Sequence, residues 1–276
     1  SEIGNSRIQF YSTEMNIASL RRYRLETDLR LAIENSEFKL LYQPKVAVGT
    51  GRVIGAEALL RWVPENRDMV PPNEFIPVAE ETGMILPIGE WVLREACHQI
   101  SVWHKQGQQL KIAVNISTRQ LFDTTDFVGL VKSIIAAEKI DPRFLVLEMT
   151  ESLMIEDVER VITMLSQLRD LGIMISMDDF GTGYSSLSYL KKIPLDEVKI
   201  DRSFITDAVN TKKDQALVAA IIYLSHEFGF QVCAEGVEHA DQIQLLNRLR
   251  CDVYQGYYFS KPIAAEEFTA RYLETQ

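Results

Sequence analysis

Apolar positions recur along the chain with two periods, one helical and one extended. Between residues 12 and 33, Ile17, Leu20, Leu25, Leu29 and Ile33 stand among charges at helical spacing, with Arg21, Arg22 and Arg24 on the solvated face. Residues 38–44 read as a strand that stops at Pro44, because proline removes a ladder donor. Residues 53–62 form a second strand carrying one acid, Glu57, in its middle. Pro71, Pro72 and Pro77 then punctuate a loop with a short helix. Ile88, Trp91, Val92, Ala96, Ile100 and Trp103 mark a longer helix ending before Gly107, in which His98 and His104 are ordinary helix residues.

From there the two periods alternate. Residues 111–117 are a predicted strand followed by helical sequence to about residue 139. Residues 144–151 are a strand, and Val158, Val161, Ile162, Leu165 and Leu168 line one face of the next helix, which Gly172 closes. The apolar run 173–175 leads to a strand ending at Asp178-Asp179, with a helical turn around residues 187–192. Strands at 197–201, 231–236 and 252–256 are separated by helices, one marked by Leu217, Val218, Ile221, Leu224 and Phe228 and another over 240–249. Alternating strands and amphipathic helices require a parallel sheet covered on its outside, and this many units favour closure into an α/β barrel.

Polar residues fall at or near the strand C-terminal ends in succession: Asn115, Glu148, Asp178 with Asp179, Lys199 with Asp201, Glu235 and Gln255. Barrel chemistry gathers at that rim. Asp178-Asp179 is followed by Phe180-Gly181-Thr182-Gly183 and small hydroxyl residues. Adjacent acids at a strand end are costly to desolvate unless paired or holding a cation. A plain turn would also use them, but the run of polar strand ends favours a hard-metal site beside a glycine loop.

Composition narrows the partners. The length of 276 residues fits one barrel or two ordinary domains. A net charge of -10 argues against binding a nucleic-acid polymer or an anionic membrane, yet admits a small anionic ligand, since divalent ions invert the local field. The cysteines, Cys97, Cys233 and Cys251, are odd in number and far apart, which points to a reducing compartment and a cytoplasmic domain rather than a disulfide framework or a zinc site. No apolar run is long enough to span a bilayer. The opening at Ser1, with no signal peptide, leads to the expectation of a piece of a longer protein whose membrane attachment stays open.

Glu57, Asn115, Glu148, Asp178, Asp179 and Glu235 offer oxygen donors only, so magnesium or manganese is preferred over zinc. The number of acids points to two ions, an arrangement suited to in-line hydrolysis of a phosphate ester. Lys199 beside them would orient or deprotonate the attacking water, or neutralise excess negative charge; a direct role in positioning the water is favoured.

These residues carry a family resemblance. Residues 57–62, Glu-Ala-Leu-Leu-Arg-Trp, are similar to the signature of the EAL-domain family of cyclic di-GMP phosphodiesterases. The likeness continues in order through Asn115-Ile116-Ser117, Glu148-Met149-Thr150-Glu151-Ser152, the 178–183 loop, Val198-Lys199-Ile200-Asp201, Ala234-Glu235-Gly236-Val237-Glu238 and Gln255-Gly256-Tyr257. It covers residues 28–276, and residues 1–27 resemble a linker following a GGDEF (diguanylate cyclase-like) domain, so upstream GGDEF or sensor domains are expected. The resemblance implies a modified TIM (β/α)8 barrel whose first strand is antiparallel, hydrolysis of one ester of cyclic di-GMP to linear pGpG, and a homodimer. It also implies roles. Glu57, Asn115, Glu148 and Asp178 would hold the first metal, Asp178 bridging to a second served by Asp179 and Glu235, with Asp201 close by. Lys199 would contact the catalytic water, Arg61 a substrate phosphate, Gln43 and Gln255 the dinucleotide, and Glu151 would anchor the 180–186 loop. The alternative is an EAL-type receptor that binds cyclic di-GMP with little turnover; a metal-dependent aldolase barrel would not require this ordered set of motifs.

Overall fold

Eight strands close into a barrel in chain order, the first running against both of its neighbours and the others parallel. The computed structural model describes residues 13–65, 67–151, 153, 157–181 and 190–274, with side chains from residue 22 onward. After α1 (Thr13–Glu34) come β1 (Phe38–Ala47), β2 (Val53–Trp62), α2 (Pro72–Thr82) and α3 (Ile85–Lys105). The alternation that follows runs through β3 (Lys111–Asn115), α4 (Thr118–Asp123), α5 (Phe127–Glu138), β4 (Leu145–Thr150), α6 (Val158–Asp170) and β5 (Met174–Phe180). It ends with β6 (Glu197–Ile200), α7 (Arg202–Ala208), α8 (Lys212–Glu227), β7 (Gln231–Ala234), α9 (Ala240–Arg248), β8 (Val253–Tyr254) and α10 (Ala265–Tyr272).

Several expectations are corrected. β1 does not stop at Pro44 but continues to Ala47. The Tyr42 amide donates to Ile263 O, on the side away from β2, and by alternation the nitrogen of Pro44 faces that same side. Pairing with β8 begins only at Val46, so the missing donor leaves no gap in a ladder. The helical stretch after β3 is two helices, because Ser117 and Gln120 form a capping box at α4 and Asp126 caps α5 through the Gly129 amide. The stretch after β6 is likewise split, with Asp201 capping α7 and Thr211 capping α8. β5 runs through Asp178-Asp179 to Phe180 instead of ending at the pair. Of the helical turn expected at 187–192, residues 187–189 lie outside the described residues, and α10 was not anticipated.

Residues of one parity on each strand are apolar and pack outward against the helices: Ala56 and Ala58, Ile112 and Val114, Leu145 and Leu147, Ile175 and Met177, Val198 and Ile200 are all buried there. Trp62, at the end of β2, is fully buried; its ring meets Phe75 edge-on at 5.6 Å and its indole N–H donates to Glu37 at 2.9 Å. This contact fastens the β1–β2 hairpin to α2, the helix that follows it. Trp62→Ala should therefore lower the unfolding free energy by about 3–5 kcal/mol, and Trp62→Phe by less because a ring remains. Denaturant unfolding of the two variants beside the parent measures both.

Candidate active site

The residues of the other parity meet inside the barrel, and they are mostly polar. Strands that are not neighbours in the sheet touch through these side chains, which is only geometrically open across the lumen. The Lys199 ammonium on β6 lies 2.8 Å from Glu148 Oε2 on β4, 3.5 Å from Glu57 Oε2 on β2, 3.2 Å from Asp178 Oδ2 on β5 and 2.6 Å from Glu235 Oε1 after β7. Glu57 also accepts from Asn115 Nδ2 at 2.6 Å and from Gln255 Nε2 at 2.7 Å, and the same Gln255 nitrogen donates to Gln43 at 2.9 Å. Gln43 stands directly opposite Glu57 in the antiparallel β1–β2 pair, so the reversed first strand delivers it to the cluster.

Asp178 and Asp179 are adjacent in β5, where plain alternation would point them to opposite faces. Between the pairs Met177–Val198 and Phe180–Ile200, however, β5 carries one residue more than β6, and Asp179 adopts a left-handed backbone with φ of 55°. This bulge turns both acids toward the mouth. One carboxylate oxygen from each of Asp178, Asp179 and Glu235 lies within 4.8 Å of the others. Gly181, two residues after Asp179, has φ of 94°, and its amide donates to Glu151 Oε2 at 3.1 Å. Glu151 thus grips the start of the glycine loop; residues 182–189 lie outside the described structure.

Electrostatics inside the lumen follow from burial and from a shortage of positive charge. Burial alone would raise the Glu148 carboxyl and lower the Lys199 ammonium. The ammoniums of Lys199 and Lys45 overcome this at Glu148 and hold it down at about 2, while Glu148, Glu57, Glu235 and Asp178 hold Lys199 well above its ordinary value. The other acids are less well served. Burial pushes Glu235 up to about 8 despite Lys199, with Asp178 and Glu57 adding to the rise. Glu57 is raised by burial, and Asp179 by burial together with Asp178 and Asp201. A cluster of oxygen donors in which Glu57, Asp179 and Glu235 are pushed toward their protonated forms fits hard divalent cations. Gln255 Oε1, buried beside this cluster and without a hydrogen-bond partner among the described residues, is a further acceptor.

Two cavities flank the carboxylates. One of about 270 Å³ is lined by Gln43, Glu57, Glu235 and Gln255 together with Arg202 and Tyr257. The other, of about 340 Å³, is more apolar and is lined by Ile76, Ile88, Arg61, Asn115 and Glu148. Leu59 lines both, so the Glu57–Asn115 pair stands between them. Gly256 keeps Gln255 in place, since a Cβ there would lie 2.1 Å from Val237 O. Most residues singled out from the sequence therefore converge. Asp201 is near Asp179 but is engaged as the α7 cap, accepting from Ser203 N at 3.0 Å and Ser203 Oγ at 2.5 Å. Arg61 sits in the apolar cavity, donating to Leu60 O at 2.8 Å.

Sequence reasoning missed Lys45, Ser176 and Glu197. Lys45 bonds Glu148 Oε1 at 2.6 Å and Glu197 Oε1 at 2.7 Å, and Ser176 Oγ donates to Glu197 at 2.9 Å. Each lies two residues from a residue that was named, Gln43, Asp178 or Lys199, so strand alternation was the signal that would have found them. Arg202 and Glu238, paired at 2.9 Å beside the polar cavity, carried no such signal because they lie beyond the strands.

The chain matches the family described as EAL domain over residues 26–262. It is 45% identical over 267 residues to the signaling protein YkoW of Bacillus subtilis, covering 97% of this chain and 33% of that protein. It is 42% identical over 262 residues to MucR of Pseudomonas aeruginosa, a bifunctional diguanylate cyclase/cyclic di-GMP phosphodiesterase, covering 95% of this chain and 38% of that one. The solved structure of the PaMucR phosphodiesterase in complex with c-di-GMP superposes with a TM-score of 0.85 at 43% identity, over 89% of this chain and 99% of the other. The chain thus spans about a third of the length of the curated relatives it matches. Motifs in one order on one barrel, matched over most of its length, place the chain in the EAL domain family, to which it belongs.

Proposed function

We propose that the chain hydrolyses one phosphodiester bond of cyclic di-GMP to give linear pGpG. The observation that carries this reading is the oxygen-only cluster of Glu57, Asn115, Glu148, Asp178, Asp179 and Glu235 around Lys199, set between two cavities on a barrel shared with a cyclic di-GMP phosphodiesterase. Glu57, Asn115, Glu148 and Asp178 would hold one Mg²⁺ or Mn²⁺ ion and Asp178, Asp179 and Glu235 a second. When bound, such ions polarise a phosphate ester and acidify water. The chain's own residues do the rest. Lys199 holds four carboxylates in one constellation and presents a compact ammonium to the water that attacks phosphorus. Gln43, Gln255 and Arg61 orient the dinucleotide across the two cavities. Glu151 fixes the Gly181 amide, just after Asp178 and Asp179, where the glycine loop begins.

Incubation with cyclic di-GMP should yield pGpG with Mg²⁺ or Mn²⁺ and little with Ca²⁺, whose larger radius and looser coordination misplace the attacking water. Binding of cyclic di-GMP with no pGpG under either ion would assign a receptor instead, and equal turnover with Ca²⁺ would contradict the metal geometry.

Lys199→Arg and Lys199→Met should each lower kcat by at least about 100-fold while retaining cyclic di-GMP binding, because the longer planar guanidinium does not fit this buried point and methionine has no donor for the water. If excess Mn²⁺ restores the methionine variant, Lys199 only balances charge. Glu151→Ala should lower kcat by about tenfold through the displaced loop, with affinity measured in Ca²⁺ preserved; wild-type kcat would show that the loop needs no such anchor.

A further inference from the structure

Lys45 lies beneath the carboxylate cluster, deeper in the lumen than any residue assigned above. It sits on β1 opposite Gly55, at the point where the β1–β2 register shifts between Lys45 and Val46. The residue is 6% exposed, and Glu148, to which it is bonded, is fully buried. The two oxygens of Glu148 are divided between two ammoniums: Oε1 receives Lys45 at 2.6 Å and Oε2 receives Lys199 at 2.8 Å. On its other side Lys45 is held by Glu197 Oε1 at 2.7 Å, and that oxygen is itself fixed by Ser176 Oγ at 2.9 Å. Glu197 lines a cavity of about 130 Å³ at the opposite end of the barrel, together with Lys45, Lys111 and Gln231. Ser176, Glu197 and Lys45 therefore form a brace that rises from the barrel floor to the underside of Glu148.

We propose that Lys45 is a positioning residue that sets the denticity of Glu148, and through it the choice of metal. With Oε1 held from below, Glu148 turns toward a cation at the mouth only Oε2, the oxygen that the Lys199 ammonium links to Glu57, Asp178 and Glu235. A single oxygen suits Mg²⁺ and Mn²⁺, which demand compact octahedral shells, whereas Ca²⁺ accepts bidentate carboxylates and longer bonds. Partners behind a ligating carboxylate commonly change metal affinity by about 10–100-fold when lost. This inference rests on the two-metal reading above, but its signature is different. Removing a nearby positive charge strengthens the binding of both ions together; releasing Oε1 changes their ratio.

The test is calorimetric titration of substrate-free protein with MgCl₂ and with CaCl₂. Lys45→Met alone leaves Glu197 without its buried counter-charge and risks misfolding. The double variant Lys45→Met/Glu197→Gln removes the pair together and keeps the net charge. In the double variant the ratio of Ca²⁺ to Mg²⁺ affinity should rise by roughly tenfold or more over wild type, while Glu197→Gln alone, with Lys45 still on Glu148, should leave it within about twofold. A double variant whose ratio stays within about twofold of wild type overturns the role given to Lys45 and leaves the hydrolase reading standing. A wild-type protein that binds neither ion overturns the metal reading itself.

Discussion

Five carboxylates drawn into the barrel around two lysine ammoniums are the constraint on which the rest of this structure depends. Glu57, Glu148, Asp178, Glu197 and Glu235 all approach Lys45 or Lys199 within 3.5 Å, in a lumen where the two ammoniums are almost wholly buried and screening by water is weak. Buried charges persist only when they are paired and hydrogen-bonded. The barrel answers by giving its interior to polar groups and its apolar packing to the layer between strands and helices. Rigidity of the outer layer is then what holds like charges together. Trp62, Phe75, Trp103 and Phe268, all fully buried, belong to that layer and lie around the reversed hairpin and the helices that flank it.

The mouth is shaped by small departures from regular geometry. A bulge in β5 with a left-handed Asp179 brings two neighbouring acids to one side, at a conformational cost that aspartate bears better than most residues. Gly181, beyond Phe180, has a positive φ as well and is gripped by Glu151. On the far side, Gly256 allows the chain after β8 to run against Val237, which carries Gln255 over Glu57. The result is a carboxylate cluster with unlike flanks: a polar cavity with Arg202 and Tyr257, and an apolar one with Ile76 and Ile88. A ligand with a charged centre and flat ends, the form of the proposed substrate cyclic di-GMP, suits such a pair of flanks.

Reversal of the first strand links the two ends of the lumen. Running antiparallel to β2 and β8, β1 brings Gln43 to the mouth and Lys45 to the underside of Glu148 within one strand. A parallel strand would reach the mouth at its C-terminal end, with the chain leaving for a helix there; the reversed one runs downward from it. The brace of Ser176, Glu197 and Lys45 then ties β1, β5 and β6 across the barrel floor. Lys45 from below and Lys199 from above meet on the same carboxylate.

Periodicity alone was sufficient for the alternating strands and helices, for closure of the sheet and for the polar rim, because apolar faces repeat with the geometry of the element that buries them. Glu57, Asn115, Glu148, Asp178, Asp179, Lys199, Glu235 and Gln255 were legible because each is a polar residue in or just after an apolar run. Three things were not legible from patterns of spacing. Pro44 marked the end of a strand that in fact continues, since which side of β1 lacked a partner depends on where Ile263 and β8 come to lie. The convergence of Asp178 and Asp179 required a bulge, which is a mismatch between two strands and has no signature in either one. The division of Glu148 between Lys45 and Lys199 joins positions 103 and 51 residues away across the lumen, and only closure of the barrel makes them neighbours. Local sequence determined which residues would face inward; the shear and closure of the sheet decided which of them would touch.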